Sequence, residues 1–510
     1  MIKLLNLFLL AILVESTMGG TLSSELSSKN LTAPDLTNQP RLDTIVTNRR
    51  PLLSIFNSGG GVAPRAYIFQ IDKVPSFDSK TLIEYKVPER ANSLVTNKRI
   101  ERGDELKDNA AYYWRVKAVD AVGHESSWGT EAGGVTARFR VDSKSDDKFM
   151  NLVRIPIKNI AAPDGRGKEK IINLGGYSEA ATQWIGQKGH IKYFIFLDLG
   201  GRQEVSRIWL LCNREKMEGR IKDFVWEYSE DGKDWKAIKE TQIKDSNAFR
   251  WIQDFATIKS RFFRLVILGW HGTVPQINEI ELFGPGILPM PKAPKGDYVL
   301  VVANEHDGKE QGNNASVASA IKKSGLKLGV LVVPYYEVSS KLIKVLAHPP
   351  VAIILSGFSR CYETLPMFEF NGEYEIIRRE KDIPILGICG GHQLLAMAYG
   401  YTFAHNMGRK YFTGSVKDLV GKGAPLPVKI LKEDPIFDGL PNPFYAVKFQ
   451  SWEVAILGPR YETIGFSDCI EVIKRKDSII YGTQFHPESD KPFNLGSVLL
   501  LNFLRMALEQ

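Results

Sequence analysis

Three kinds of hydrophobic patterning succeed one another along the chain. In residues 65–72, Tyr67, Phe69 and Ile71 fall on one face. In 112–118, Tyr112, Trp114, Val116 and Ala118 share a face while Arg115 and Lys117 point away. Val135, Ala137, Phe139 and Val141 alternate with Thr136, Arg138, Arg140 and Asp142. Period-two alternation with turn residues between the runs predicts a small antiparallel sandwich over 46–145. A second strand series fills 146–285, with runs at 195–200, 205–210, 226–235, 261–265 and 277–284. Its Ser229-Glu230-Asp231-Gly232 turn, closed by Trp235, predicts a hairpin with Asp-Gly at the tip. Trp209, Trp226 and Trp235 are read as core. After a Pro-rich linker at 286–296, continuous apolar strands at 298–303, 328–333, 351–355 and 383–388 are interleaved with helical patterns such as 315–323. That predicts an α/β domain over 297–510, its mostly parallel sheet covered on both faces.

With 510 residues the chain is too long for one core, which agrees with three bodies. Met1-Ile2-Lys3 precedes an 11-residue apolar run broken only by Asn6, and small residues follow at Ser16, Thr17, Gly19 and Gly20. This is the layout of a signal peptide over 1–20, too short for a membrane span. Export is therefore expected, with a flexible Ser/Thr/Asn/Pro-rich lead-in over 21–45. The net charge of +8 is scattered and carries no nucleic-acid motif. The four cysteines, Cys212, Cys361, Cys389 and Cys469, are too few for a disulfide framework and show no zinc spacing, so no metal ligands are assigned.

The Tyr112-Tyr113-Trp114-Arg115-Val116 run, followed by Ser126-Ser127-Trp128, resembles a bacterial fibronectin type III domain. Such a module implies a spacer or docking surface. The ordered motifs of 146–285 resemble the discoidin, or coagulation factor 5/8 type C, sandwich. That resemblance implies loops at one end that bind a cell-surface or extracellular glycan, and it allows a structural calcium; no other cofactor is expected. Sugar recognition needs aromatic faces and fixed polar groups, so Trp184, His190, Arg214, Trp270 and His271 are the candidates. Cys212 alone cannot form the terminal disulfide of animal members, which favours the sugar-binding branch.

The chemistry concentrates in 384–396. A buried strand ends at Cys389, glycines follow, and a helix begins. Gly387 and Gly391 leave room for a tight strand-to-helix turn that holds its apex residue strained and exposed. A helix N-terminus favours the thiolate there, and the Gly390 N–H can stabilise an oxyanion. This Gly-x-Cys-x-Gly-His-Gln run resembles the nucleophile motif of class I glutamine amidotransferases. Gln484-Phe485-His486-Pro487-Glu488, with His486 standing 97 residues after Cys389, matches their base motif. The resemblance implies a flavodoxin-like fold and assigns Cys389 as nucleophile, His486 as base and Glu488 as its orienting partner. Gln393 stands where the substrate glutamine is held, and Gly357 on the earlier oxyanion loop. There Ser356-Gly357-Phe358-Ser359 departs from the family's Ser-Gly-Gly-Pro through Phe358. Gln450 and Ser451 stand at the substrate-carboxylate contact, Gln450 where His is frequent.

No P-loop or second catalytic body accompanies these motifs, so a synthase partner is not encoded in the chain. The expectation is an exported cysteine hydrolase of a small-molecule amide, of glutamine or a γ-glutamyl type, directed to glycans. Two alternatives differ from it: a glycan-binding adhesin with a vestigial catalytic domain, and an ammonia-supplying amidotransferase for a separate synthase, as in GMP synthases.

Overall fold

The computed structural model describes residues 30–36, 42–90, 92–131, 135–144, 146–147, 149, 152–173, 183–288, 290–305, 312–358, 362–399, 402–405, 425–449 and 452–510. The signal-peptide segment, Cys361, Gln450 and Ser451 lie outside the described residues.

The N-terminal body is a β-sandwich. One sheet runs in the order Thr44–Val46, Ala137–Val141, Ala110–Val119, Ala66–Asp72, Ile83–Pro88, and faces the pair Leu52–Phe56 and Val95–Arg99. The predicted faces hold: Tyr67, Phe69, Ile71, Trp114, Val116 and Ala118 are all buried. Strand Ala137–Val141 departs from its pattern, because Arg138 and Arg140 are buried as well. The second body covers that face, and Asp43, Asp147 and Asp254 balance the two guanidinium groups.

The second body is an antiparallel sandwich. Its larger sheet contains the long bent strands Tyr193–Leu211 and Arg250–Trp270, whose register shifts near Asp198 and Val205 turn them from one part of the body to another. The predicted hairpin joins Ile221–Ser229 to Lys236–Ile243. Asp231 Oδ1 accepts the Lys233 and Asp234 amides at its tip, and Gly232 takes the left-handed conformation there. Trp209 and Trp226 are core, as expected. Trp235 is not: it is only half-buried, and lies 4.2 Å from the Arg264 guanidinium and edge-on to Phe196.

The third body is built on a nine-stranded sheet. Gly329–Pro334, Tyr298–Ala303, Ala352–Leu355, Ile385–Ile388 and Ile480–Thr483 are mutually parallel, and Ile470–Arg475, Tyr461–Phe466, Pro425–Ile430 and Phe444–Val447 extend the sheet antiparallel. The sheet is thus only half parallel, where the apolar strands predicted a mostly parallel one. The reason is connectivity: Tyr461–Phe466 and Ile470–Arg475 are joined too closely for a crossover, which needs a dozen or more residues.

The three bodies share a polar seam. Arg207 is fully buried with Asp43 and Asp254 at 3.0 and 2.6 Å, and its guanidinium lies 4.4 Å from the Phe368 ring of the third body. Arg154 reaches from the second body to Glu369 and to the Tyr335 hydroxyl. Arg250 pairs with Glu131 of the first body and donates to the Glu363 carbonyl of the third. Charges taken out of water need opposite charges beside them, and this seam draws them from all three bodies.

Candidate active site

The interior strand Ile385–Ile388 delivers Cys389 to its C-terminal end, and helix Gly390–Met397 starts at the next residue. Cys389 has φ 51° and ψ −103°, a strained pose for a residue with a Cβ. Close packing enforces it. A Cβ on Gly391 would lie 2.2 Å from the Leu355 carbonyl oxygen, and one on Gly390 would lie 2.4 Å from the Phe358 ring. The Cys389 amide donates to Thr483 O at 2.7 Å, tying the cysteine to the strand that leads into His486.

His486 Nδ1 lies 2.8 Å from Glu488 Oε1, and both side chains are buried. Nε2 is buried and makes no hydrogen bond of ordinary geometry, yet Cys389 is near enough to act on the ring's charge. Burial alone would lower the imidazole pKa. The charge of Glu488 and then that of the Cys389 sulfur outweigh it, and hold the pKa well above the ordinary histidine range. The site therefore favours the imidazolium form of His486. The histidine backbone is held too: its amide donates to Val447 O at 2.8 Å, and its carbonyl accepts Asn494 Nδ2 at 2.9 Å. Asn494 Oδ1 also caps Gly496 N at the start of the C-terminal helix. Only its place just before a helix start hinted at Asn494 in the sequence.

Around the thiol, Phe449 O and Gln484 Nε2 stand 3.6 and 3.8 Å from Sγ. Gln393 is buried one turn along helix Gly390–Met397. Its amide nitrogen donates to Trp452 O and Gln484 Oε1, and its oxygen accepts the Tyr362 hydroxyl at 2.5 Å. Tyr362 was not singled out by sequence; no motif marks it. Gly357 is buried on the loop after Ala352–Leu355, and Asn304 holds that loop by donating Nδ2 to Ser356 O at 2.8 Å. Gly390 N–H, at a helix start, has no partner one turn back. A cavity of about 630 Å³ opens between helices Gly312–Lys323 and Gly496–Leu508; His486 and Glu488 are in its wall and Cys389 is not.

The glycan candidates separate. Tyr193 gathers three of them: the rings of Trp184, His190 and Trp270 stand 5.8, 5.4 and 5.1 Å from it. Trp184 is fully buried, with its indole against Gly165, so it supports this cluster and offers no face to a ligand. His190 and Trp270 are partly exposed. His271 contacts Ser246 O at 3.2 Å. Arg214 lies 3.6 Å from Glu215 and 3.9 Å from Glu363 of the third body. Arg220, missed by sequence, ties these loops through the carbonyls of Asn213, Arg214 and Asn247. Among the described residues one carboxylate–thiol group, Asp468, Cys469 and Glu471, has the proximity of metal ligands, but the Lys448 ammonium lies among them, 3.1 Å from Asp468 and 3.6 Å from Cys469 Sγ.

The chain belongs to the class I glutamine amidotransferase family, whose sequence profile matches residues 311–505. The F5/8 type C domain profile matches residues 158–280. A glutamine-hydrolyzing GMP synthase subunit of Methanococcus maripaludis strain C7 is 31% identical over 198 residues, 38% of this chain and 93% of the relative. The strain C5 protein is 34% identical over 133 residues, 26% of this chain; the chain spans 64% of that relative's length. A family 32 carbohydrate-binding module of Clostridium perfringens, solved with galactose, is 15% identical with a TM-score of 0.22, covering 26% of this chain and 98% of the module.

Proposed function

We propose that the chain is an exported amide hydrolase acting on a glutamine-type carboxamide, held near its substrate by glycan binding through the discoidin domain, with the N-terminal sandwich as a fibronectin type III-like spacer. The observation that carries this reading is the buried constellation of a strained Cys389, His486 with its open Nε2, and Glu488 on Nδ1. The thiolate attacks the amide carbonyl carbon. The oxygen takes up negative charge facing the amides of Gly390 and the Gly357–Phe358 loop. As the C–N bond breaks, imidazolium Nε2 gives its proton to the departing nitrogen, leaving a thioester and the amine. Water, deprotonated by the now neutral His486, releases the acid and restores the thiol. Glu488 keeps Nδ1–H directed away from sulfur and stabilises the charged ring.

A second reading is an ammonia supplier for a separate synthase. What favours it is the similarity to GMP synthase subunits over most of one relative's length. Incubating the full-length protein with glutamine and γ-glutamyl compounds, with ammonia and glutamate assayed, tests both. Steady release without a partner supports the hydrolase, and release that appears only with an added synthase supports the ammonia supplier.

A further inference from the structure

From the cavity beside His486 we infer that the substrate is an N-substituted amide, whose amine portion occupies the space between helices Gly312–Lys323 and Gly496–Leu508. This rests on the hydrolase reading and goes beyond it by naming the bond cleaved: C(=O)–NH–R rather than C(=O)–NH₂. Size comes first. The cavity holds about 630 Å³. An ammonia molecule needs roughly the 30 Å³ of a water, whereas sites for organic ligands run to about 300–1,000 Å³.

Position comes second. The residue that protonates the leaving nitrogen, His486, is itself part of the cavity wall. Whatever is bonded to that nitrogen must lie on the histidine's side as the bond breaks. Phe449 links the two places: its carbonyl oxygen is 3.6 Å from Cys389 Sγ, its ring stands edge-on to His486 at 5.5 Å, and it too lines the cavity. Chemistry comes third. Ser316, Ser319 and Lys323 line it from one helix, Ser497, Leu501 and Leu504 from the other, with Glu488 and Asp490 also in the wall. Hydroxyls and an ammonium beside aliphatic carbon suit an amine that carries hydroxyl or carboxylate groups on a carbon frame, such as an amino acid or an amino sugar. The atoms balance as before: R–NH₂ leaves in place of ammonia with the His486 proton, and water completes the acid.

The test uses the full-length protein with L-glutamine, γ-L-glutamylglycine and γ-L-glutamyl-4-nitroanilide, which share one acyl group. The expected result is a kcat/KM for at least one substituted amide ten times or more that for glutamine. Filling the cavity, by Ser316→Trp at an exposed helix position, should cut this ratio at least tenfold; Lys323→Glu should cut it for γ-glutamylglycine. Poor folding lowers both activities and leaves the ratio, so the ratio remains informative. Glutamine turned over faster than every substituted amide, or a ratio unmoved by both variants, overturns the inference and leaves the hydrolase reading standing. Turnover of none of the three overturns the inference; if a diazoketone analogue of glutamine then also spares Cys389, the hydrolase reading falls with it.

Discussion

The ring of Phe358 closes over Gly390 so tightly that a Cβ on the glycine would come within 2.4 Å of it. Phe358 therefore walls the turn at Gly390, the proposed oxyanion region, with Tyr362 and Phe370 behind it at 5.1 and 5.8 Å. Gly390→Ala should lower amide turnover by about 10²-fold or more, the scale of losing one oxyanion donor. Phe358→Gly should restore most of that loss when combined with it. A double-mutant cycle on turnover checks the pair, and additive effects would contradict direct contact.

Tyr362→Phe removes the hydroxyl that donates to Gln393 Oε1 in a buried network. An acceptor left unpaired there costs about 1–3 kcal/mol. Gln393 should then lose its fixed pose, raising KM about tenfold with a smaller change in kcat. Steady-state kinetics with both constants resolved is the measurement, and an unchanged KM would show that Gln393 does not hold substrate.

The pH behaviour follows from His486. Burial opposes its charge, but Glu488 and Cys389 raise its pKa well above 6.5 in the folded protein. A pKa raised on folding means that the imidazolium's contribution to stability is fully present below about pH 6.5 and fades as pH climbs through the folded value. Glu488→Gln removes the charge with little change in shape. It should bring the His486 titration midpoint down, as read from histidine ring NMR, and flatten the stability loss above neutrality in denaturant titrations. A midpoint that stays put would mean that Glu488 orients the ring without supporting its charge.

Arg207 sits at the meeting point of all three bodies. Arg207→Ala takes one partner from the buried Asp43 and the nearby Asp254, which keep Arg138, so the loss should fall below the roughly 3–5 kcal/mol of a stranded charge. Thermal unfolding should drop and split into separate transitions, with faster proteolysis between the bodies. One unshifted transition would mean that the seam contributes nothing.

Patterns local in sequence were legible. Cys389, His486 and Glu488 carry a strained turn and a short motif in their own neighbourhoods, and the faces of Ala110–Val119 follow from alternation alone. What depends on distant partners was not. Arg138 and Arg140 alternate like a wet face, yet the second body buries them. Trp184 and Trp235 exchanged expected roles because burial of an indole depends on what packs over it. Tyr362, Asn494 and Arg220 act through residues 31, 8 and 27 positions away, contacts that no spacing rule exposes.

The central claim is that Cys389 is the nucleophile and His486 its proton partner. A diazoketone analogue of glutamine, followed by intact-mass and peptide analysis, tests it most directly. One adduct is expected, on Cys389, absent in Cys389→Ser, and slowed by about 10²–10⁴ in His486→Ala, the usual scale of acid–base assistance. An adduct on Cys361 or Cys469, or labelling indifferent to His486, would contradict it.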